Sequence, residues 1–163
     1  MQFTLRDFRL EDFTTLWEID QRCFAPGIAY SRRELSTYIR RRGSFTIVAE
    51  QTGSPEGKDA VAGFIVAEAS GKAGHIISID VLPAARRAGL GSKLLLTAEE
   101  RLRLSDCRTV VLEAAVDNTA ALGFYKRQGY SVLRVYPRYY SNGVDAFVLG
   151  KNLGEQATLT PTG

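Results

Sequence analysis

Arg86-Arg87-Ala88-Gly89-Leu90-Gly91-Ser92 is a glycine-bearing turn set between an apolar strand and an amphipathic helix. The strand before it is His75-Ile76-Ile77-Ser78-Ile79-Asp80-Val81. The segment after it, Lys93 to Leu102, places Leu94, Leu95, Ala98 and Leu102 on one helical face. A helix start leaves its first amide N–H groups unpaired and carries the positive end of the helix dipole. Glycine lets such a backbone come close to a ligand, and Arg86 and Arg87 add charge, so an anionic, phosphorylated ligand is expected here.

Working outward, the 163 residues suit a single domain with a proper core, assigned to residues 1–153 with a polar, flexible tail at 154–163. The apolar share of 45% and charged share of 24% are ordinary for a soluble globular chain. No stretch approaches the roughly 18 apolar residues of a membrane span, and the N-terminus does not read as a secretory signal. Cys23 and Cys107 lie far apart and read as two free thiols, which points to a reducing, cytoplasmic compartment. A net charge of +3 is too mild for a nucleic-acid stripe. The arginines at 32, 33, 40, 41 and 42 bracket a helix and read as a solvated, dipole-matched surface.

The remaining segments follow from period and punctuation. Phe3 to Arg9 alternates as a strand, and Glu11 or Asp12 opens a helix through Leu16, Ile19 and Cys23. Ser31 and Glu34 form a capping-box pattern for a second helix closed by Gly43. Phe45–Ala49 and Ala60–Glu68 read as strands joined by a polar loop over Gln51–Asp59. Thr109–Val116 is a further strand, Asn118 caps a helix ended by Gly129, and Tyr130–Tyr136 pairs with Asp145–Leu149 around Ser141-Asn142-Gly143. The order β-α-α-β-β-β-α-β-α-β-β implies a mixed α/β sheet with helices on both faces.

Four residues stand out chemically. Glu113 is the one ionisable residue of an apolar strand; burial disfavours its charged form and suits it to general-base work, unless a nearby arginine pairs it. Asn118 and Tyr125 are seven apart, two helical turns, so both project from one face. A phenol, with a pKa of about 10, is able to protonate a departing thiolate whose thiol has a pKa of about 8.5; the alternative makes Tyr125 a core aromatic beside Phe124 and Leu122. His75, the sole histidine, is either structural or a second base or water-positioning group. Nothing has metal-ligand spacing, so no metal is expected.

Together these pieces resemble the GNAT family of N-acetyltransferases. The resemblance rests on Arg86-x-x-Gly89-x-Gly91 between strand and helix, continued by Glu113-x4-Asn118-x-x-Ala121-x3-Tyr125-x3-Gly129-Tyr130, and covers roughly Phe3 to Leu153. It implies the acyl-CoA N-acyltransferase fold, with a mixed, mostly antiparallel sheet of about seven strands flanked by helices. Within the family the chain is most similar to ribosomal-protein alanine N-acetyltransferases and other protein N-terminal acetyltransferases, on two features: Glu113 followed twelve residues later by Tyr125, and the tyrosine pair in Arg138-Tyr139-Tyr140-Ser141-Asn142-Gly143. It departs from the bacterial enzymes in Arg138 and Ser141, where they have asparagine and proline, and in a longer first acceptor loop, Cys23 to Ser31.

The resemblance implies acetyl-CoA as cosubstrate, its pyrophosphate on the amides of Arg87, Ala88, Gly89, Leu90, Gly91 and Ser92 beside Arg86, its pantetheine arm paired with Ile79-Asp80-Val81, and Asn118 on the arm. It implies that the backbone near Val81 polarises the thioester carbonyl. Glu113, directly or through water, would take the amine proton and Tyr125 would protonate the thiolate, with His75 a secondary candidate; Phe24, Tyr30, Tyr139 and Tyr140 would contact the acceptor. An N-terminal α-amine, with a pKa of about 7.7–8.0, is more readily deprotonated than a lysine at about 10.4. The expected partner is therefore a protein or peptide N-terminus, ribosomal proteins included, met by a monomer or weak homodimer. Rival expectations are a small-amine or lysine acetyltransferase, whose cationic acceptors call for carboxylate-lined loops, and a non-catalytic acyl-CoA-binding module.

Overall fold

In chain order the strands are β1 (Phe3–Asp7), β2 (Ser44–Gln51), β3 (Val61–Ser70), β4 (Ala73–Val81), β5 (Thr109–Ala115), β6 (Ser131–Tyr136) and β7 (Ala146–Asn152). The helices are α1 (Phe13–Cys23), α2 (Arg32–Arg40), α3 (Leu90–Leu104) and α4 (Thr119–Arg127). They are seen in a computed structural model that describes residues 2–53 and 60–154. The strands form one sheet in the order β1-β2-β3-β4-β5-β7-β6. Every neighbouring pair is antiparallel except β4 with β5. This is the mixed α/β architecture that the sequence implied.

Strand alternation divides the core into two layers. On one face Leu16 and Ile19 of α1 and Leu35 of α2 pack on Val48, Phe64 and Val66. On the other, Leu90, Leu94, Leu95, Ala98 and Leu102 of α3 pack on Ile47, Ile65, Ile76, Val110 and Leu112. β3 is covered on both sides, which explains its unbroken apolar run. Burying each such side chain stabilises the fold by about 1.5–3 kcal/mol, so α3 is held by its apolar face. The Ser31–Glu34 capping box forms as expected, each side chain bonded to the other's backbone N–H.

The feature that positions the site is the parting of β4 and β5. They pair only from Ala73 with Thr109 to His75 with Val111. Beyond that β4 stays paired with β3 alone, and β5 with β7 alone, as far as Ala115 with Ala146. The β3–β4 register also slips there: Val66 faces Ser78 and Ala67 faces Ile76, which leaves Ile77 as a bulged residue in β4. A bulge bends and twists its strand, so β4 swings away and opens a cleft between two backbone edges.

Several boundaries differ from the sequence expectation. β1 stops at Asp7 because Asp12, in the short helical turn Leu10–Asp12, draws the chain back, accepting two hydrogen bonds from Arg6 and one from the Arg9 amide. Tyr130, expected in a strand, packs in the core and donates its hydroxyl to Glu99 Oε2 at 2.7 Å. β7 runs on to Asn152, three residues beyond the expected Leu149, because β5 pairs with it along its whole length. Most of the Gln51–Asp59 loop and of the 154–163 tail lies outside the described residues.

Candidate active site

The cleft holds a cavity of about 380 Å³. Its walls are the separated stretches Ile76–Ile79 of β4 and Leu112–Ala115 of β5, its far side is α4 with Asn118 and Tyr125, and its roof comes from two loops. Both strand edges carry backbone N–H and C=O groups that no neighbouring strand takes up at this level, and buried groups of that kind demand partners. An extended ligand lying between them would supply those partners.

Glu113 projects into this cavity from β5. His75, one ladder step before the strands part, reaches it across the cleft: its Nε2 lies 2.7 Å from Glu113 Oε1 and 2.9 Å from Oε2. Tyr139 donates its hydroxyl to the same Oε1 at 3.1 Å. The partner of Glu113 is thus histidine rather than arginine. Burial, then the Glu113 carboxylate, raises the Tyr139 phenol above its ordinary value, so it remains a donor. The same causes in the same order, with Asp117 added, push Tyr140 up to about 12.

Tyr125 lines the opposite side of the cavity and is only 8% exposed. Its ring is held edge-on between Phe124 and Tyr130, at centroid distances of 5.3 and 5.9 Å. It is therefore both a core aromatic and a cavity phenol. Burial, then the nearby Asp80, raises its pKa, so the ordinary phenol value assumed from sequence is too low. Asn118 lines the same cavity and caps α4, its side-chain oxygen accepting from Ala121 N at 3.1 Å. That leaves its Nδ2 amide for a ligand.

The glycine turn is built as a helix mouth. Gly89 has φ +75° and ends a 3-10 helix over Pro83–Ala88; a Cβ there would meet nothing within 4 Å, so its backbone is open to a ligand. The first α3 amide bond runs from Lys93 N to Gly89 O, which leaves the amides of Leu90, Gly91 and Ser92 at the mouth. Arg87 is exposed there. Arg86 is exposed too, but its Nε donates to Val81 O at 2.9 Å, an acceptor that the Cys23 thiol also approaches at 3.6 Å. These residues fit a diphosphate, and the adjoining cleft fits the arm that follows it.

Of the expected cofactor contacts, Asp80 places its side chain elsewhere: at 1% exposure it faces Asp20 of α1 and Ser78 on the α1 side, so only its backbone is left for a ligand in the cleft. Ile79 and Val81 turn their side chains to the α3 side.

The roof joins two loops. In the first, Phe24 lines the cavity, and so does Tyr30, whose polar atoms are committed: its hydroxyl donates to Ile77 O at 3.2 Å and its amide to Asp20 Oδ2 at 2.8 Å. The second carries Tyr139 and Tyr140, packed edge-on at 4.9 Å, with Tyr136 stacked outside Tyr139. Ser141 ties the two together, its amide and hydroxyl both donating to Gly27 O at 3.3 and 3.0 Å. Sequence reasoning missed Asp20 as a cavity residue, and named Cys23 and Asn142 only as members of the two acceptor loops. Asp20 reads as an ordinary position of a helix, and no local signal marks it. Cys107 is buried at the other end of β5. Both cysteines are free. Among the described residues no cluster of three metal-ligating side chains occurs.

The site is a gap in the sheet between parallel neighbours, with a helix mouth at one end and an acid and a phenol lining it, on the fold that the sequence resemblance implied. The comparisons agree. Residues 13–130 match the Acetyltransferase (GNAT) family, and the chain belongs to that family. It is 38% identical over 92 residues to an uncharacterized N-acetyltransferase of Methanocaldococcus jannaschii, covering 56% of this chain and 59% of that protein. It is 35% identical over 83 residues to an N-alpha-acetyltransferase of Sulfurisphaera tokodaii, covering 50% of each. These matches span half to three-fifths of those relatives' own lengths. The crystal structure of Ard1 from Thermoplasma volcanium superposes with a TM-score of 0.83 at 26% identity, covering 95% of this chain and 100% of that one.

Proposed function

We propose that this chain transfers the acetyl group of acetyl-CoA to the N-terminal α-amine of a protein, and that residues 1–153 form one acetyltransferase domain. The observation that carries this is the Glu113 carboxylate, bracketed by His75 and Tyr139 in the cleft and facing Tyr125 across it. Acetyl-CoA supplies an activated thioester. The chain holds it through the amides of Leu90–Ser92, the side chain of Asn118 and the unpaired edge of β4, in the manner of an added strand.

Glu113, backed by His75, receives the proton of the incoming amine. Tyr125 keeps its own proton until negative charge develops on sulfur, then donates it. No covalent bond to the enzyme is required, since a cosubstrate and an acceptor held in one cleft would react directly.

The identity of the acceptor is read from the roof. Phe24, Ile28, Tyr139 and Tyr140 offer stacking and apolar contact, and Asn142 offers an amide. The acids of the cavity are Asp20, which is buried, Asp117, and Glu113, which has partners. A polyamine or aminoglycoside would call for several free carboxylates, whereas Asp117 is the one exposed acid of the lining among the described residues. The relative named N-alpha-acetyltransferase supports the same choice. The test is thiol release from acetyl-CoA in the presence of short peptides beginning Ala, Ser, Met or Thr. Release with free N-termini and none with N-terminally blocked controls is expected; equal release with blocked, lysine-containing controls would overturn it.

A further inference from the structure

Asp20 on α1 and Asp80 on β4 are both acids of the interior, 0% and 1% exposed. One hydroxyl, that of Ser78, stands between the two carboxyl groups, and Asp20 is the side chain that acts most strongly on Asp80. Ser78 stands beside both: its hydroxyl donates to Asp80 Oδ1, and its oxygen lies 3.5 Å from Asp20 Oδ1. Asp20 Oδ2 accepts the Tyr30 amide at 2.8 Å. Asp80 Oδ2 has no donor among the described residues. A buried carboxylate oxygen without a donor, facing a second carboxylate, is among the least stable arrangements a core offers. One proton on Asp80 Oδ2, donated to Asp20, removes both faults.

The surroundings agree. The titratable or charged groups facing the pair are Cys23 and Tyr30 from α1 and the loop after it, Tyr125 from α4, and Arg86 after β4. Only Arg86 is a cation, and it is exposed, with its Nε already donated to Val81 O. Burial, followed by the Asp20 neighbour, holds Asp80 well above the usual carboxylate range.

We propose that Asp20 and Asp80 share a single proton, and that this shared proton is the clasp that sets the first acceptor loop against the bulged strand β4. The clasp reaches the site through Tyr30. Asp20 takes the Tyr30 amide, and the Tyr30 hydroxyl in turn donates to the carbonyl of the bulged residue Ile77 in the cavity wall. Loss of the proton leaves two adjacent negative charges in the core and pushes α1 and β4 apart, loosening Tyr30. Asp20 and Asp80 are thus positioning residues for the acceptor. That consequence rests on the acceptor role proposed for the loop, whereas the shared proton does not.

The test uses the full chain and Asp80→Asn, whose amide donates as the neutral acid does but does not titrate. A carboxyl raised above its unfolded value of about 3.9 binds an extra proton in the folded state, so its stabilisation is lost as pH rises through the folded pKa. Denaturant unfolding across pH is therefore expected to show Asp80→Asn gaining on wild type as pH rises. In parallel the wild-type Tyr30 amide should lose protection from hydrogen exchange, beyond the intrinsic acceleration, while the variant's does not. Wild-type KM for an acceptor peptide should climb about tenfold relative to the variant over that range, one hydrogen bond's worth of contact. A stability difference that is flat, or that moves toward wild type as pH rises, overturns the clasp. Should Asp80→Asn fail to fold, carbon-13 titration of the wild-type carboxyls decides: one aspartate titrating far above the rest, and returning toward the others in Asp20→Asn, supports it, and ordinary titration of all overturns it. The stability and titration readouts need no catalysis, so an inactive protein would sink the functional proposal and leave the clasp standing.

Discussion

Tyr125 holds its proton because its ring is wedged in the core and its hydroxyl faces a buried acidic neighbourhood. A phenol so placed stays neutral throughout the working range and so keeps a proton to donate as negative charge develops on the departing sulfur. Tyr125→Phe keeps the packing and removes the donor. Its kcat should fall about 10²-fold or more with acetyl-CoA binding nearly unchanged; steady-state kinetics and cosubstrate titration separate the two. Glu113→Gln keeps the contact with Tyr139 but cannot take a proton. Turnover should drop about 10²-fold and the pH–rate profile should change shape, whereas an identical profile would pass the base role to His75. Glu113 and Tyr125 were legible as a pair twelve residues apart. The bond from His75 to Glu113 was not, because it spans 38 positions and depends on where two strands cease to pair.

Among the elements, the turn before α3 and the two roof loops do the positioning. Gly89 sits at φ +75° with open space around its missing side chain. Gly89→Asp therefore strains the backbone by about 1–2 kcal/mol and sets a negative charge at the helix mouth. Affinity for acetyl-CoA, read by calorimetry, should fall while the acceptor peptide's KM changes less. Ser141 stands where the bacterial relatives suggested by the motif carry proline. The structure gives the substitution a purpose: amide and hydroxyl both fasten to Gly27 O, and proline has neither donor. Ser141→Pro should raise the acceptor KM up to about tenfold, two modest hydrogen bonds at an exposed site, with acetyl-CoA KM unmoved. The longer first loop is matched to this contact, since Gly27, at φ +88°, lies so close to Asn142 that an added Cβ would fall 2.9 Å from its amide nitrogen. Neither loop announces the other in sequence; their docking is a contact across 114 positions.

Over the whole molecule, the sheet with its two helical layers is the frame, and the parting of β4 from β5 is what opens the cleft in it. Leu102 is fully buried where α3 covers β4, close enough to Gly74 that a Cβ there would meet its Cδ1 at 2.7 Å. Leu102→Ala should cost about 2–5 kcal/mol through lost burial and a residual cavity. A melting temperature lowered by several degrees, with kcat at low temperature retained, would show that the frame and the cleft are separable.

What the sequence determined by itself is whatever depends on near neighbours. Capping at Ser31, the period of α3, the alternation of the strands and the turn at Gly89 all arise within a few turns of chain, where propensity and hydrophobic period act directly. What only the tertiary structure decided is how distant groups meet: the bulge at Ile77, the cleft it opens, the hydrogen bonds that His75 and Tyr139 make to Glu113, and the burial that brings Asp20 against Asp80. Those depend on strand register and on which faces two layers of helices cover, and no local pattern of residues encodes either.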